Sequence, residues 1–428
     1  MSSDSLSYRL YHSTPLEEYD LALELALKNV LMSAFPAYKS TKFDSIREKF
    51  QRLKINMCYD SGGFQILMKP ELIHLACPLK TLEVYERLGY TDKDLLIQLD
   101  LPTDFHDTIE KREDWITKSA LYYHQMREKN KQIIPVIHGW TYEELAKSLE
   151  MVFQPETIAF GSNSATETRG VKVGIGSYVA TERPKPRVGN QYVGIGSYTV
   201  KEVPTVMKTA SVSSGTAEER RKFTAMKVIY PRFGLAVSLM KKLGIKHILA
   251  LGGGGMNFMH LAFSSGCDMT DGSSWRIAAR FFSFFVPETA NRRLKEMEKP
   301  TCKKATTEDI LKLRELHKEP EYPFSDISFE ELLTGLAAEK KFGFVTRCIH
   351  NAYVLHWEIT NISQEYANDP DGYWNYLLNK RWANSNHWKP RAKLVRKALT
   401  EDYVQTSMRS YLKLDSQFSK MLTQEVRN

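Results

Sequence analysis

The sequence predicts an α/β protein of the (β/α)8 barrel class, with a β-rich insertion and a helical C-terminal part. Short apolar runs alternate with amphipathic segments, an order typical of parallel strands joined by right-handed crossovers. Six or more such units over roughly 250 residues suit a barrel better than an open sheet. Carboxylates, glycines and one histidine recur where these runs end, the place where barrel enzymes carry their active sites.

Composition indicates an ordinary soluble globular protein. The chain has 428 residues, of which 42% are hydrophobic and 26% are charged. No apolar run is long enough to span a membrane, and the N-terminus lacks the basic flank and apolar core of a secretory signal. Five scattered cysteines favour a reducing cytoplasm. The formal charge of +8 fits either a polyanionic partner or a slightly basic enzyme without one.

The elements follow from the pattern in chain order. Residues 1–50 are predicted to be helical, because 16–32 carries apolar residues at helical spacing. The predicted strands are 55–59, 95–99, 133–137, 157–160, 247–251 and 267–270. The predicted helices are 79–88, 109–129, 142–152, 307–318 and 329–340, with another that opens at 347–351.

The hexapeptide DSGGFQ at 60–65 is the central motif. Asp60 ends a predicted strand beside two glycines, whose bare backbone lets a ligand approach closely, and Phe64 adds an aromatic face. The simpler reading is a tight turn with an aspartate cap. Asp100, His138-Gly139, Gly161 and Asp271 follow later strands, which together predicts a polar pocket with paired carboxylates.

Two carboxylates at strand ends suggest chemistry on a nucleobase at its sugar bond. Asp271 suits a nucleophile that attacks the anomeric carbon, and Asp60 suits an acid/base that moves a proton to or from the base. Asp100 could accept two N–H groups from a guanine-type ring edge. For each aspartate alone, a helix cap or an ion pair is the competing interpretation.

The remaining segments carry weaker signals. Residues 164–220 are rich in Gly, Ser, Thr and Val, and contain the repeat VGIGSY at 173–178 and 193–198. We predict a β-rich insertion, either a surface loop or an arm that contacts a large substrate. The tail interleaves tryptophans with basic residues such as Lys389 and Arg391, a pattern that suits a nucleic acid or a solvated basic face. The predicted domains are 1–300, 301–360 and 361–428.

The motifs at these strand ends resemble those of a known family, the tRNA-guanine transglycosylases of the queuine/archaeosine superfamily. Members of that family have an irregular (β/α)8 barrel. The 60–65 motif and the segment GCDMTD at 266–271 carry the resemblance over roughly 50–290. The resemblance implies that Asp271 is the nucleophile and Asp60 the general acid/base. It also implies that the base pocket is formed by Ser61, Phe64, Asp100, His138, Gly139, Gly161, Leu251 and Gly252.

The sequence departs from that family in three places. His138 stands where a glutamine reads the base edge, and the arginine-rich segment that holds the tRNA backbone is reduced to Arg276 and Arg280. The zinc cluster retains only Cys302. A substitute structural zinc site from four N/S side chains is conceivable, because zinc prefers four such ligands. Its members would be Cys302, His317, Cys348 and His350.

These departures resemble the divergent branch that exchanges guanine in DNA for a 7-deazaguanine such as 7-cyano-7-deazaguanine. Members of that branch occur in phages and in bacterial genomic islands. The resemblance implies DNA as partner, a base flipped out of the duplex and no organic cofactor, and it leaves open a helper ATPase. The same reaction on tRNA is the alternative, and a non-catalytic partner subunit is another.

Overall fold

A computed structural model of the chain describes residues 8–25, 27–50, 55–63, 65, 74, 77–103, 107–153, 192–195, 230–245, 247–252, 255–297 and 302–399. The chain divides into two units. The first comprises Met1–Gly62, Lys80–Ile97 and Leu249–Lys389, and the second comprises Gly63–Leu79, Gln98–Ile248 and Pro390–Asn428.

Strands and helices alternate through most of the described chain. The strands are β1 Arg9–Thr14, β2 Asn29–Ser33, β3 Asn56–Asp60, β4 Leu95–Ile97, β5 Ile133–Ile134, β6 Val136–Ile137, β7 Tyr192–Ile195, β8 His247–Ala250, β9 Met269–Gly272, β10 Phe284–Phe285, β11 Asn291–Arg293 and β12 Lys303–Lys304. The α-helices are α1 Tyr19–Glu24, α2 Ile46–Phe50, α3 Pro78–Leu88, α4 Ile109–Lys129, α5 Tyr142–Phe153, α6 Tyr230–Lys242, α7 Met256–Ser265, α8 Ser274–Arg280, α9 Thr307–His317, α10 Phe329–Ala337, α11 Lys340–Glu358, α12 Pro370–Tyr376 and α13 Trp388–Ala398.

A parallel sheet is the centre of the first unit. Its strand order is β4-β3-β2-β1-β9-β8, and every neighbouring pair is parallel. Strand residues such as Val30 and Met57 are fully buried, as expected where helices cover both faces of a parallel sheet. The mixed α/β class with parallel strands is therefore confirmed, and it is compatible with a TIM-like fold. Closure into eight strands stays a prediction.

The prediction of a helical N-terminal region is wrong. Residues 9–14 and 29–33 form β1 and β2, and only the short α1 and a 3-10 turn at Leu16–Glu18 lie between them. In β2, Val30, Leu31 and Met32 are all buried. A strand buried on both faces is a continuous apolar run, which periodicity cannot distinguish from part of a buried helix.

The other predicted elements are mostly confirmed. Strands occur at five of the six predicted sites, and 157–160 lies outside the described residues. The run at 133–137 is split by Pro135 into β5 and β6, because proline has no N–H to donate to a strand neighbour. The helix predicted to open at 347 begins earlier, at Lys340.

Only four residues of the predicted insertion are described. They form β7, which pairs in parallel with β6 through Val136↔Gly194 and Ile137↔Ile195. This part of the second VGIGSY copy is therefore a parallel strand beside β6, at a place where we predicted a β-like segment of a surface loop or an arm. The rest of 164–220 lies outside the described residues, so the insertion itself stays a prediction.

Candidate functional site

Asp60 is the last residue of β3, and its carboxylate lies at the turn that follows. Gly62 has a φ of +93° and its backbone N–H donates to Asp60 Oδ2 at 3.2 Å. A Cβ on Gly62 would lie 2.8 Å from Phe35 Cβ, so the turn needs glycine for space as well as for conformation. The sequence DSGG thus forms a tight turn that orients a half-buried carboxylate.

Asp271 lies inside β9 and is held by two hydrogen-bond donors. Ser13 Oγ donates to Asp271 Oδ2 at 2.5 Å, and the Gly252 N–H donates to Asp271 Oδ1 at 2.5 Å. Ser13 comes from the neighbouring strand β1, and Gly252 follows β8 with a φ of +74°. Each carboxylate oxygen therefore has a donor, so that the orientation of the group is determined by both adjoining segments.

The two carboxylates lie on the same face of the sheet. Partner residues of adjacent strands point to one face, and residues two apart along a strand do as well. Asp271 pairs with Tyr11, so Ser13 shares its face. Ser13 pairs with Leu31, which places Ser33 there, and Ser33 pairs with Asp60. Asp60, the last residue of β3, and Asp271, the penultimate residue of β9, thus lie on one surface, with β1 and β2 between them.

Cys58 lies on the same face of the sheet as Asp60 and Asp271, and the charges of both carboxylates affect the pKa of its thiol. It pairs with Leu31 and is fully buried. Burial raises the pKa of the Cys58 thiol well above its usual value, and the charges of Asp271 and Asp60 raise it further. The sulfur is therefore held as a neutral thiol, which makes it a packing group beneath the carboxylates rather than a nucleophile.

A second polar cluster lies in the second unit. His138 Nε2 is 3.0 Å from Asp100 Oδ2, and both side chains are buried. The backbone of Gly63 approaches the same aspartate closely, since a Cβ on Gly63 would lie 2.5 Å from Asp100 O and 2.6 Å from Oδ1. The predicted base-reading pair, Asp100 and His138, is therefore brought together, and the second glycine of the turn contacts it.

The loop after β6 is held by side chains that the sequence analysis did not identify. Gly139 has a φ of +151°, and Arg232 Nε donates to its carbonyl. The Arg232 guanidinium also lies 4.3 Å from the ring centre of Trp140. Glu144 Oε2 accepts a hydrogen bond from the backbone N–H of Trp140 at 2.6 Å, and Arg112 donates to Glu144 Oε1 at 2.8 Å. These contacts rigidify the backbone next to His138.

Other predicted base-binding residues are placed as follows. Ser61 is buried, and its carbonyl accepts a 3.5 Å hydrogen bond from the Tyr38 hydroxyl. Leu251 is partly exposed next to Gly252, and Leu249, two residues earlier, pairs with Met269. Because residues two apart share a face, Leu251 lies on the same face of the sheet as Asp271. Phe64 and Gly161 lie outside the described residues.

The predicted nucleic-acid contacts differ in accessibility. Arg276 is buried, with Nε 3.1 Å from Glu18 Oε2, whereas Arg280 is exposed and lies 2.9 Å from Glu18 Oε1. Lys389 is partly exposed and donates to Ala383 O at 3.2 Å. Arg391 lies over the ring of Tyr230 at 5.1 Å. Arg280 is thus the most open cation of these four.

Tryptophans of the C-terminal part mostly belong to the core. Trp374 and Trp382 are buried, and Trp382 Nε1 donates to Asn257 at 2.9 Å. Trp388 is partly exposed and stacks on Trp382 at a centroid distance of 5.8 Å. The apolar surface of the two buried rings is therefore taken up by packing, and the nucleic-acid interpretation of the tail stays a prediction.

The four predicted zinc ligands have other partners. His350 contacts the Tyr322 hydroxyl and Phe285 O, both at 2.7 Å, so both ring nitrogens are engaged. His317 Nε2 contacts Ile327 O at 2.9 Å. Cys302 contacts Ser283, and burial raises the pKa of Cys348 to about 12. Within the described ranges no three His, Cys, Asp or Glu side chains gather around a metal position. The zinc site therefore stays a prediction.

No family model matches the sequence. No curated protein matches it either. Among the described residues, none of the helices has the length and apolar character needed to cross a bilayer. The site geometry and the motifs therefore carry the functional argument.

Proposed function

We propose that this protein exchanges guanine in DNA for a 7-deazaguanine, with Asp271 as nucleophile and Asp60 as acid/base. One observation carries the proposal: both carboxylates lie at strand ends on one face of a parallel sheet, and Asp271 is oriented by Ser13 and Gly252. A carboxylate pair on one surface suits the displacement of a base from a sugar, with one group at carbon and the other at a proton.

In the proposed first half-reaction, an oxygen of Asp271 attacks C1′ of a flipped deoxyguanosine. The C1′–N9 bond breaks, the electron pair leaves with guanine, and Asp60 supplies the proton that neutralises the departing base. Ser13 and Gly252 hold the nucleophile before attack, which reduces the reorganisation needed to reach the transition state.

In the second half-reaction, the incoming 7-deazaguanine loses its N9 proton to Asp60. Its nitrogen attacks C1′ and Asp271 leaves as carboxylate, so the sugar is returned without any redox step or nucleotide. Asp60 is half-buried and is followed by the tight turn at Gly62, so part of the residue is accessible to a base. We assign Ser61 and Phe64 to the walls of the base pocket on the motif alone.

We assign recognition of the base edge to Asp100 and His138. A carboxylate can accept two N–H groups from the amidine-like edge of a guanine-type ring. The 3.0 Å contact with His138 Nε2 would orient Asp100 for that role. Arg232 and Glu144 would act as positioning residues, because they hold the carbonyl and the N–H of the peptide group that joins Gly139 to Trp140.

The choice of DNA over tRNA rests on the reduced arginine segment and on the long insertion predicted at 164–220. Arg276 is buried against Glu18, which leaves Arg280 as the exposed arginine of that pair. None of the five cysteines forms a disulfide, which suits a reducing cytoplasm. A partner ATPase that opens the duplex would be compatible with this reaction.

The experiment that tests the proposal is an exchange assay. Purified protein is incubated with 7-cyano-7-deazaguanine and either plasmid DNA or bulk tRNA, and the released nucleosides are analysed by mass spectrometry. A modified deoxynucleoside supports the proposal, whereas a modified ribonucleoside establishes tRNA as the substrate. If neither forms, binding of the free base distinguishes a non-catalytic partner subunit from a protein with another function.

The nucleophile is tested with Asp271→Ala and Asp271→Asn. Both should abolish exchange and the covalent enzyme–DNA adduct that denaturing gels detect. Asp92→Asn is the matched control, since Asp92 is an exposed aspartate of the same unit. Full exchange by either Asp271 variant would exclude this assignment.

A further inference from the structure

A cavity lies beside β1 on the face opposite to Asp271. Tyr11 is the residue of β1 that pairs with Asp271, so its neighbour His12 points to the other side. The cavity has a volume of about 150 Å³ and is formed between β1, the segment that leads into β2, and helix α11. Its apolar wall consists of Leu10, Leu25, Leu27, Ile349, Ala352 and Ile359.

Nitrogen groups line the same cavity. Lys28 is exposed, and its Nζ is 3.4 Å from His356 Nε2. His12 is only 7% exposed, and its Nδ1 has no hydrogen-bond partner among the residues that the structure describes. A buried ring nitrogen without a partner is costly unless a ligand or water satisfies it.

The charge around the cavity favours an anion. Among the described residues, no carboxylate forms an ion pair with Lys28. Glu319 is engaged by the Trp357 N–H at 2.8 Å and by the Tyr353 hydroxyl at 3.4 Å. Glu321 acts on His356 but is itself exposed to solvent, where its charge is screened.

We propose that this cavity binds a compact organic monocarboxylate. The carboxylate would accept hydrogen bonds from Lys28 and His356, the apolar body would fill the space between Leu27 and Ile349, and His12 Nδ1 would offer a third polar contact. A cavity of this volume accommodates a body of about six carbons. Hexanoate and benzoate therefore represent the ligand class, and this site is separate from the proposed exchange reaction.

Isothermal titration of the full chain with hexanoate tests the proposal. A ligand of about eight non-hydrogen atoms can reach a Kd of roughly 1 mM or below. Hexan-1-ol should bind about tenfold more weakly because it lacks the charge that Lys28 attracts, and hexylamine should not bind. Equal binding of hexanoate and hexan-1-ol would contradict the proposal, and so would binding of inorganic phosphate as tight as that of hexanoate.

Variants locate the site. Lys28→Gln should weaken hexanoate binding about tenfold, while Lys93→Gln, which changes another exposed lysine of the same unit, should leave it unchanged. Ala352→Leu should abolish binding by filling the cavity without altering a charge. His12→Phe should weaken binding while keeping the edge contact with Trp275. The proposal would be overturned if Lys28→Gln and the unmodified chain bound hexanoate with equal Kd values. Unchanged hexanoate binding by Ala352→Leu would also overturn it, and so would a lack of saturable binding by the unmodified chain.

Discussion

At the scale of single residues, the two aspartates differ in how they are held. Asp60 receives a hydrogen bond from Gly62, two positions along the chain, whereas Asp271 receives one from Ser13, which is 258 positions away. The orientation of Asp271 therefore depends on the pairing of β1 with β9. Ser13 is the residue of β1 whose hydroxyl donates a hydrogen bond to the proposed nucleophile.

Ser13→Ala should lower the rate of base exchange while leaving the fold intact. A hydrogen bond to a charged group is worth about 1.5–3 kcal/mol, so a loss of about 10- to 100-fold in kcat is expected if the bond is at full strength in the transition state. Exchange kinetics with saturating base measure this loss. Thr14→Val is the control, because Thr14 donates to His12 O on the other face. An unchanged kcat in Ser13→Ala would exclude this positioning role.

At the scale of elements, the turn after β3 determines the position of two groups. Gly62 contacts Phe35 in the first unit, and Gly63 contacts Asp100 in the second. The two consecutive glycines are therefore not interchangeable: Gly62 is needed for a positive φ, and Gly63 for lack of a side chain. This explains why the motif has both glycines.

Gly63→Ala should impair base binding more than it impairs stability. The added methyl would meet Asp100 backbone and carboxylate oxygens at 2.5 and 2.6 Å, so the turn and Asp100 can no longer keep their present positions. A rise of about tenfold or more in KM for the base is expected, since misplacing one polar contact costs about 1–3 kcal/mol. Gly255→Ala is the control, because its added methyl meets nothing within 4 Å. Equal KM values for the two variants would contradict this role.

A buried ion network joins α7 to the C-terminal helices. Glu358 is fully buried and accepts from Arg381 at 2.8 and 3.1 Å, and its Oε2 is 2.9 Å from His260 Nε2. Burial by itself would raise the pKa of Glu358, but the charge of Arg381 and the bond to His260 hold it at about 2. Ser363 and Tyr373 complete the set. Although serine, histidine and glutamate meet here, all three are fully buried, so the network is structural.

Glu358→Gln should destabilise the first unit strongly. Removing one partner of a buried pair leaves Arg381 uncompensated, which costs about 3–5 kcal/mol. Urea unfolding followed by tryptophan fluorescence measures the change, because Trp374 and Trp382 are buried in the same region. Glu365→Gln, at an exposed glutamate, is the matched control. A decrease in the free energy of unfolding below about 1 kcal/mol, which is the usual contribution of an exposed ion pair, would show that the buried network does not stabilise the fold to this extent.

At the scale of the whole molecule, buried neutral histidines make stability depend on pH. Burial lowers the pKa of His12 to about 3, and those of His260 and His350 to about 4 each. The unfolded chain takes up these protons near pH 6.5, whereas the folded chain does not. The stabilising contribution is therefore complete above pH 6.5 and is lost as the pH falls towards 4.

We expect the free energy of unfolding to decrease on acidification by about 2 kcal/mol per buried histidine between pH 7.5 and pH 5. Urea titrations across this range measure the slope. The slope of the unfolding free energy against pH gives the number of protons taken up on unfolding. His350→Asn should reduce that number by about one, while His387→Asn, at an exposed histidine, should not change it. Stability that is flat from pH 7.5 to pH 5 would contradict the neutral burial of all three.

The local pattern alone determined much of the fold and part of the site. Apolar runs that end in glycine or aspartate predict β3, β4, β8 and β9 and place Asp60 and Asp271 at strand ends. Asp100 and His138 also follow successive runs, and the structure brings them within 3.0 Å. These predictions succeed because a strand end in a parallel sheet is a local signal, read from a few adjacent residues.

Only the tertiary structure decided the identity of β1 and β2, the donor from Ser13, and the burial of Arg276, Trp374 and Trp382. Residues 9–33 are ambiguous between helix and strand until β3 and β9 pair with them. A basic or aromatic side chain in the sequence shows its chemistry but not its exposure. Exposure and register depend on partners that are distant along the chain, and for that reason composition and spacing could not supply them.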